Sequence, residues 1–440
     1  MKKYLLNTAI KTALSISCGL ILLPQTALAV PECNSKVQPG GSTDQGGGEY
    51  NPPTGATGGS GLNTAAAYQG MPRVTETAVP VETPYYETSQ DPDTCGATVS
   101  ESTGTQAQEV AMSLLPRILS QNTSGGSSAK KGKKRVTAFD FRDLGGAAGA
   151  DDADNALLNG GRFSLFSFTD YTNRDRHATS RSGGFEQEVN SFTLGFDYRI
   201  DDSMFFGMTV SGADGESKLD TRTGGSDTSS TTIGVHGAKY WGNSFVAGLI
   251  AYGALDIDID RTAAGDSFSA STDGSYWYGD ISIGFEENYG GWRITPQARA
   301  LLVSGDIDAY REKSATGTGV IRSIQSQDID SAILTLSVQA DYPLLLDWGV
   351  LLPSMRVELI ADGGDGYKSN GQNLNDVDKT VVNTFADQAD DPDSSTVAVS
   401  WGASAQFSQG LAAYIVYERL FYHDYLNKYT ATVGVRYELP

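Results

Sequence analysis

The sequence predicts an all-β protein: a twelve-stranded antiparallel transmembrane β-barrel, preceded by a largely disordered N-terminal segment and a short helix. Three observations carry this. From Arg162 onward, short segments alternate apolar and polar residues, which in a strand sends one set to lipid and the other to water. The connections between those segments alternate short and long, as in bacterial outer-membrane barrels. Beyond the first apolar run, no stretch is long and apolar enough to cross a bilayer as a helix.

The N-terminus comes first. Lys2 and Lys3 precede an apolar run through Leu23, and Ala27-Leu28-Ala29 offers a small-residue cleavage site before Val30, with Ala27 and Ala29 as its recognised positions. Residues 1–29 therefore read as a secretory signal peptide. Cys18 lies inside the apolar run rather than after it, against a lipid-modified terminus. With 53 acids against 32 bases, the net charge of −21 excludes nucleic acid as a partner. The remaining cysteines are Cys33 and Cys95. In an oxidising periplasm a bridge between them would close a long loop worth roughly 4 kcal/mol on the chain-entropy estimate. Two unpaired thiols are the alternative.

Residues 30–128 are rich in Gly, Pro, Thr and Ser, with runs such as Gly46-Gly47-Gly48 and Asn51-Pro52-Pro53 and no period or repeat. Such a segment buries too little apolar surface to offset its ordering entropy, so most of it is expected to be disordered. One exception is 105–119, where Val110, Leu114, Leu115, Ile118 and Leu119 form one helical stripe. Pro116 is expected to kink or interrupt its last turn. A linker, 129–161, follows with the basic run Lys130-Lys131-Gly132-Lys133-Lys134-Arg135. That run suits a solvated tether, an acidic lumen or anionic headgroups.

Region 162–440 carries the strands. Phe192, Leu194, Phe196, Tyr198 and Ile200 share a face, as do Met204, Phe206, Met208 and Val210. Leu249, Ala251, Leu255, Ile257 and Ile259 share another, opposite Asp256, Asp258 and Asp260. The pattern recurs at Trp277 to Phe285, Leu334 to Tyr342, Leu351 to Leu359 and Val397 to Phe407. Strands near Phe163, Ile233 and Tyr414 are mixed. Short turns are expected at 201–202, 242–243, 289–291, 344–347 and 409–410, and long loops near 173–186, 219–228, 261–274, 306–327, 362–394 and 421–425. A two-sheet sandwich would explain alternation but not this loop asymmetry.

A membrane barrel must close, because an open edge in lipid leaves backbone groups unsatisfied. Trp241, Trp292 and Trp348 lie beside short turns, where an interfacial aromatic girdle belongs. The acids Asp197, Asp256, Asp258, Asp280, Asp341 and Glu358 are expected to line the lumen, with Arg199, Arg293, Arg299, Arg356 and Arg436. They would form salt-bridge networks filling a small barrel, or a cation-preferring pore. The acidic stretch at Asp390, Asp391 and Asp393 suits solvation better than a divalent cation, since it lacks a calcium-loop spacing.

The last strand alternates Tyr429, Ala431, Val433, Val435, Tyr437 and Leu439 against Thr430, Thr432, Gly434, Arg436 and Glu438. It resembles the C-terminal assembly signal of bacterial outer-membrane barrels, with Thr432, Gly434, Tyr437 and Leu439 in the signal positions and a departure at Pro440. Region 162–440 as a whole resembles the translocator barrel of autotransporters (type V secretion). The strand count, the Trp292-Arg293-Ile294-Thr295-Pro296 and Trp348 to Pro353 openings, and the ending Tyr417 to Leu439 carry the likeness.

The resemblance implies a Gram-negative outer-membrane barrel that exports or displays its N-terminal segment, with a linker helix in the lumen. The helix at 105–119 is the candidate and 151–159 the rival. It also implies, as partners, the outer-membrane bilayer, barrel-assembly machinery and periplasmic chaperones, with a monomeric barrel and no cofactor. Residues 30–128 lack the length and repeats of a β-helical passenger. A bridged Cys33–Cys95 loop would hinder threading, so the segment staying in the periplasm or plugging the lumen of a channel remains open. Catalysis is not expected: His177, His236 and His423 are scattered, with no nucleophile–base pair at useful spacing and no metal-ligand set. His236-Gly237-Ala238 lacks the Ser that outer-membrane phospholipases carry two positions after their His.

Overall fold

The computed structural model describes residues 96–122, 162–179, 182–201, 203–220, 224–364, 366–391, 395–407 and 410–439, with helix side chains from Glu101 to Leu119. The predicted signal peptide with Ala27 and Ala29, the Cys33 and Cys95 pair, the basic run 130–135, Asp393 and the rival helix 151–159 lie outside the described residues.

Twelve long strands form the barrel: β1 (Phe163–Arg176), β2 (Phe185–Asp201), β3 (Met204–Leu219), β4 (Gly224–Trp241), β5 (Ser244–Ala263), β6 (Asp266–Phe285), β7 (Trp292–Ile307), β8 (Gln327–Asp341), β9 (Gly349–Asp362), β10 (Thr396–Phe407), β11 (Leu411–Phe421) and β12 (Leu426–Glu438). Each pairs antiparallel with the next. β12 returns to β1 in register from Ser164↔Glu438 to Arg176↔Leu426. That seam closes the cylinder, so no strand edge meets lipid.

Alternation sets the two faces. Phe192, Leu194, Met204, Val210, Ile281, Leu334, Val433 and Tyr437 all point outward and are exposed, forming the surface that lipid covers. Trp241, Trp292 and Trp348 are exposed beside the short turns, with Trp292 against Tyr342 and Trp348 against Phe407 at 5.1 and 5.2 Å between ring centroids. A second aromatic row runs around the opposite end. Tyr171, Tyr429, Tyr417 and Trp401 are linked at 6.1, 6.0 and 6.3 Å, and Tyr252 meets Trp277 at 4.8 Å. Tyr429 and Tyr437 stand eight residues apart on β12. At about 3.4 Å per residue and a tilt near 40° that is about 21 Å of height, close to the apolar band of an outer-membrane barrel.

The strands overshoot that band. β5 and β6 each run 20 residues, twice what a tilted membrane strand needs. The stretches 219–228 and 261–274, expected to be loops, are largely paired strand instead. Ladder bonds continue from Tyr252↔Trp277 to Ala263↔Asp266, where Ala264 and Gly265, both at positive φ, make the turn. Ser, Thr and Asp there signal a water-facing strand surface rather than a loop. The connections 308–326 and 363–395 build a further four-stranded sheet from Tyr310–Arg311, Val320–Ile324, Lys368–Asn375 and Val381–Gln388. Its small core sets Ile321 and Leu374 against Phe268 of β6. Arg261 clamps it, donating to Glu312 at 2.8 and 2.6 Å over the Phe268 ring.

Among the described residues one helix, α1 (Gly96–Asn122), lies inside the barrel. It is longer than the predicted 105–119 and continues through Pro116. Packing by the surrounding wall outweighs the hydrogen bond that proline lacks. At 1.5 Å per residue it is about 40 Å long, the thickness of a bilayer with its headgroups.

Candidate functional site

The lumen and its helix form the site. α1 is buried nearly all round, as expected of a helix enclosed by protein. The half-buried exceptions, Thr105, Gln108, Met112 and Ser113, fall on one stripe. The opposite stripe, with Ala107, Val110, Ala111, Leu114 and Ile118, is shut away completely. Burying the five large apolar residues from Val110 to Leu119 contributes roughly 8–15 kcal/mol gross, an upper estimate.

The wall is two-sided to match. On the β5–β8 side, Leu249, Leu255, Ile257, Leu301, Val303 and Ile333 are buried in one core with the helix's apolar stripe. β5 thus turns its apolar row inward. Asp256, Asp258 and Asp260 point outward and are exposed, so the expectation that Asp256 and Asp258 line the lumen is overturned. Above the aromatic row the outer face of β5 meets water instead of lipid, and the helix requires an apolar wall; alternation keeps its period while its meaning inverts. Sequence pairing then aligns Glu188, Glu216, Asp227 and Asp258 as directly opposite neighbours across four strands. They make an acidic collar outside the barrel.

The other side is polar. Glu109 of α1 receives Arg174 of β1 and Lys428 of β12, each at 2.6 Å. Arg117 lies 3.5 Å from Asp170. Polar contacts also reach the helix from β4 and β7: Gln106 donates to the Thr228 carbonyl at 3.0 Å, and Arg299 donates to the Ala111 carbonyl at 3.3 Å. Between the half-buried stripe and β8–β12 with β1 lies a cavity of about 150 Å³, lined by Met112, Arg174, Arg356, Glu358 and Lys428 among others. It is large and polar enough for several waters.

Below, Asp197 accepts from His236 at 2.6 Å and from Arg436 at 2.7 Å, and Arg436 also donates to Ser164 at 2.5 Å. Arg293 donates to Asp341 at 3.1 Å, Arg299 to Asp280 at 2.5 Å, and Arg356 to Glu358 at 3.2 Å. Each guanidinium thus has a carboxylate, which a charge out of water requires. Arg199 instead sits half-exposed at the short-turn rim, 3.6 Å from Glu438.

The predicted tail residues fall on both faces of β12: Thr432 and Gly434 inward, Tyr437 and Leu439 outward. The Tyr414 ring of β11 lies over Gly434, where a Cβ would collide with it. The histidines stay apart. His236 is buried between Phe166 and Phe205, His177 meets Asn427 at 3.1 Å in the opposite mouth, and His423 lines the cavity. Asp390 and Asp391 pair with Arg176 and with the backbone of Gly366. Sequence reasoning missed Glu101, Glu109, Arg117, Arg174, Arg176 and Lys428. The two Glu and the Arg at helical spacing off the apolar stripe were the available signal.

This chain is similar to several known proteins. A curated relative, the putative uncharacterized protein YaiT of Escherichia coli K12, is 24% identical over 262 residues, which is 58% of this chain and 25% of YaiT. The chain therefore spans about a quarter of that relative's length. Among solved structures, the translocator domain of the autotransporter NalP from Neisseria meningitidis is similar at 17% identity, covering 65% of this chain and 92% of that one with a TM-score of 0.49. The beta domain of the Bordetella autotransporter BrkA matches at 15%, 63%, 100% and 0.48 in the same order. The family description "Autotransporter beta-domain" matches residues 165–418, more than half of the 440 residues. The chain belongs to the autotransporter family, and its barrel is an outer-membrane translocator domain of that family.

Proposed function

We propose that the barrel exports its own N-terminal segment, residues 30–95, and leaves it displayed at the surface of a Gram-negative cell. The observation that supports this is the direction of α1. Its early residue Glu101 pairs with Arg176, the last residue of β1 at the long-loop mouth. Sixteen residues on, Arg117 pairs with Asp170, deeper in the barrel. Long loops face outside, so α1 turns its N-terminal end toward the outside. A channel whose N-terminal segment stays periplasmic would need the helix reversed.

The barrel carries no chemistry in this reading, and the charged lumen holds a helix rather than conducting. The test is a tag inserted near Thr54 and protease added to intact cells. Cleavage is the expected result, and full protection beside a folded barrel would overturn the proposal. Barrel-assembly machinery would read Tyr437 and Leu439, which stand exposed on the closing strand. Tyr437→Ala with Leu439→Ala is expected to lower the inserted fraction; an undiminished heat-modifiable band would contradict it.

A further inference from the structure

Arg176 is 1% exposed, yet its guanidinium reaches four separate elements. Nε donates to Glu101 Oε1 of α1 at 2.5 Å. Nη1 donates to the carbonyls of His177 and Gly183 in the β1–β2 connection, both at 3.2 Å. Nη2 donates to Asp390 Oδ2 in the β9–β10 connection at 3.1 Å. The group also lies 4.6 Å from the ring centroid of Tyr425, between β11 and β12. Neighbouring bonds reinforce the node. Ser182 donates to Glu101 at 3.0 Å, Thr179 to Asp390, and Tyr425 to the Asp391 carbonyl at 2.8 Å.

The helix reaches the same β9–β10 connection once more, and the end of β9 beside it. Gly104 lies against the Tyr367 ring with no room for a Cβ. Gln108 donates to Asp362, the last residue of β9, at 3.0 Å. This connection carries half of the external four-stranded sheet, Lys368–Asn375 and Val381–Gln388.

We propose that Arg176 is a clasp making closure of the external sheet conditional on a seated helix. A guanidinium removed from water needs its carboxylates. Without the seated helix, Asp390, whose side chain is 21% exposed, is the one carboxylate left to Arg176, and Tyr367 loses the glycine surface it covers. The sheet and the helix therefore stabilise one another, and the coupling is reciprocal. The clasp itself holds whichever way the upstream chain lies. Resting on the export reading, it means the mouth closes only when the helix arrives behind the exported segment.

Hydrogen exchange on the full chain in lipid vesicles tests this. Glu101→Leu is expected to speed exchange of the amides in 368–375 and 381–388 about tenfold or more, as loss of a charge-assisted bond implies. The barrel amides of 192–196 should keep their rates. Unchanged exchange in the external sheet overturns the clasp. If Glu101→Leu also disturbs the barrel amides, Gln108→Ala decides: faster exchange confined to the external sheet supports the coupling, and no change there refutes it. Tag accessibility at Thr54 tests export separately, so the two ideas can fail independently.

Discussion

Ile257 and Asp258 are chain neighbours in β5 whose replacement by alanine should have opposite consequences. Ile257 is 1% exposed, inside the core that includes the helix. Ile257→Ala removes three carbons, about 2.4 kcal/mol at roughly 0.8 kcal/mol per methylene-sized group. The cavity left behind raises the cost to about 3–4 kcal/mol. Asp258 faces water. It accepts from Ser271 at 2.6 Å but stands directly opposite Asp227. Losing an exposed bond and relieving a like-charge pair nearly cancel, so Asp258→Ala should fall within about 0.5 kcal/mol of wild type. Equilibrium guanidinium unfolding in lipid vesicles, followed by tryptophan fluorescence, measures both. With Cys33 and Cys95 replaced by serine, an impermeant maleimide on intact cells should label Asp258→Cys and spare Ile257→Cys. Equal destabilisation, or a larger loss from Asp258→Ala, would put the aspartates in the lumen and refute the inverted reading of β5.

Two further outcomes are expected. Gly434→Ala places a methyl group inside the space of the Tyr414 ring and should cost about 1–3 kcal/mol by overpacking; adding Tyr414→Ala should return part of it, and a wild-type unfolding midpoint for Gly434→Ala alone would contradict the close approach. Arg436→Met takes the guanidinium away from buried Asp197 and its pair with His236 and should cost about 3–5 kcal/mol. A loss under about 1 kcal/mol would mean that water reaches this layer.

Much of the barrel was legible because a strand's period is fixed at two. In β2, β3, β8 and β12 one face is so rich in Phe, Leu, Met and Val that its lipid contact could be named from sequence. In β5 the same period was visible but the assignment failed. Alternation says that two faces differ, not which environment each meets, and the wall facing Leu114 and Ile118 had to be apolar. The helix stripe was legible for the same reason. Its first turns were not, since Gly96 to Gly104 are mostly Gly, Thr, Ser and Val, weaker helix formers without apolar spacing. Contacts made only in the assembled lumen hold them, among them Glu101 with Arg176 and Gly104 with Tyr367. The ion pairs were legible as an inventory of charges, whereas the partners follow from register across distant strands.

The turn at Ala264 and Gly265 sits at the tip of a hairpin whose two edges differ in solvent at every step. Deleting one residue from the β5 arm would carry Asp256, Asp258 and Asp260 across to the helix and push Leu255, Ile257 and Ile259 into water. Removing two residues from each arm would shorten the hairpin while leaving every remaining side chain on its own side. The height of this external projection is therefore free to vary across evolution or design only in even increments per strand, like a ladder trimmed by whole pairs of rungs.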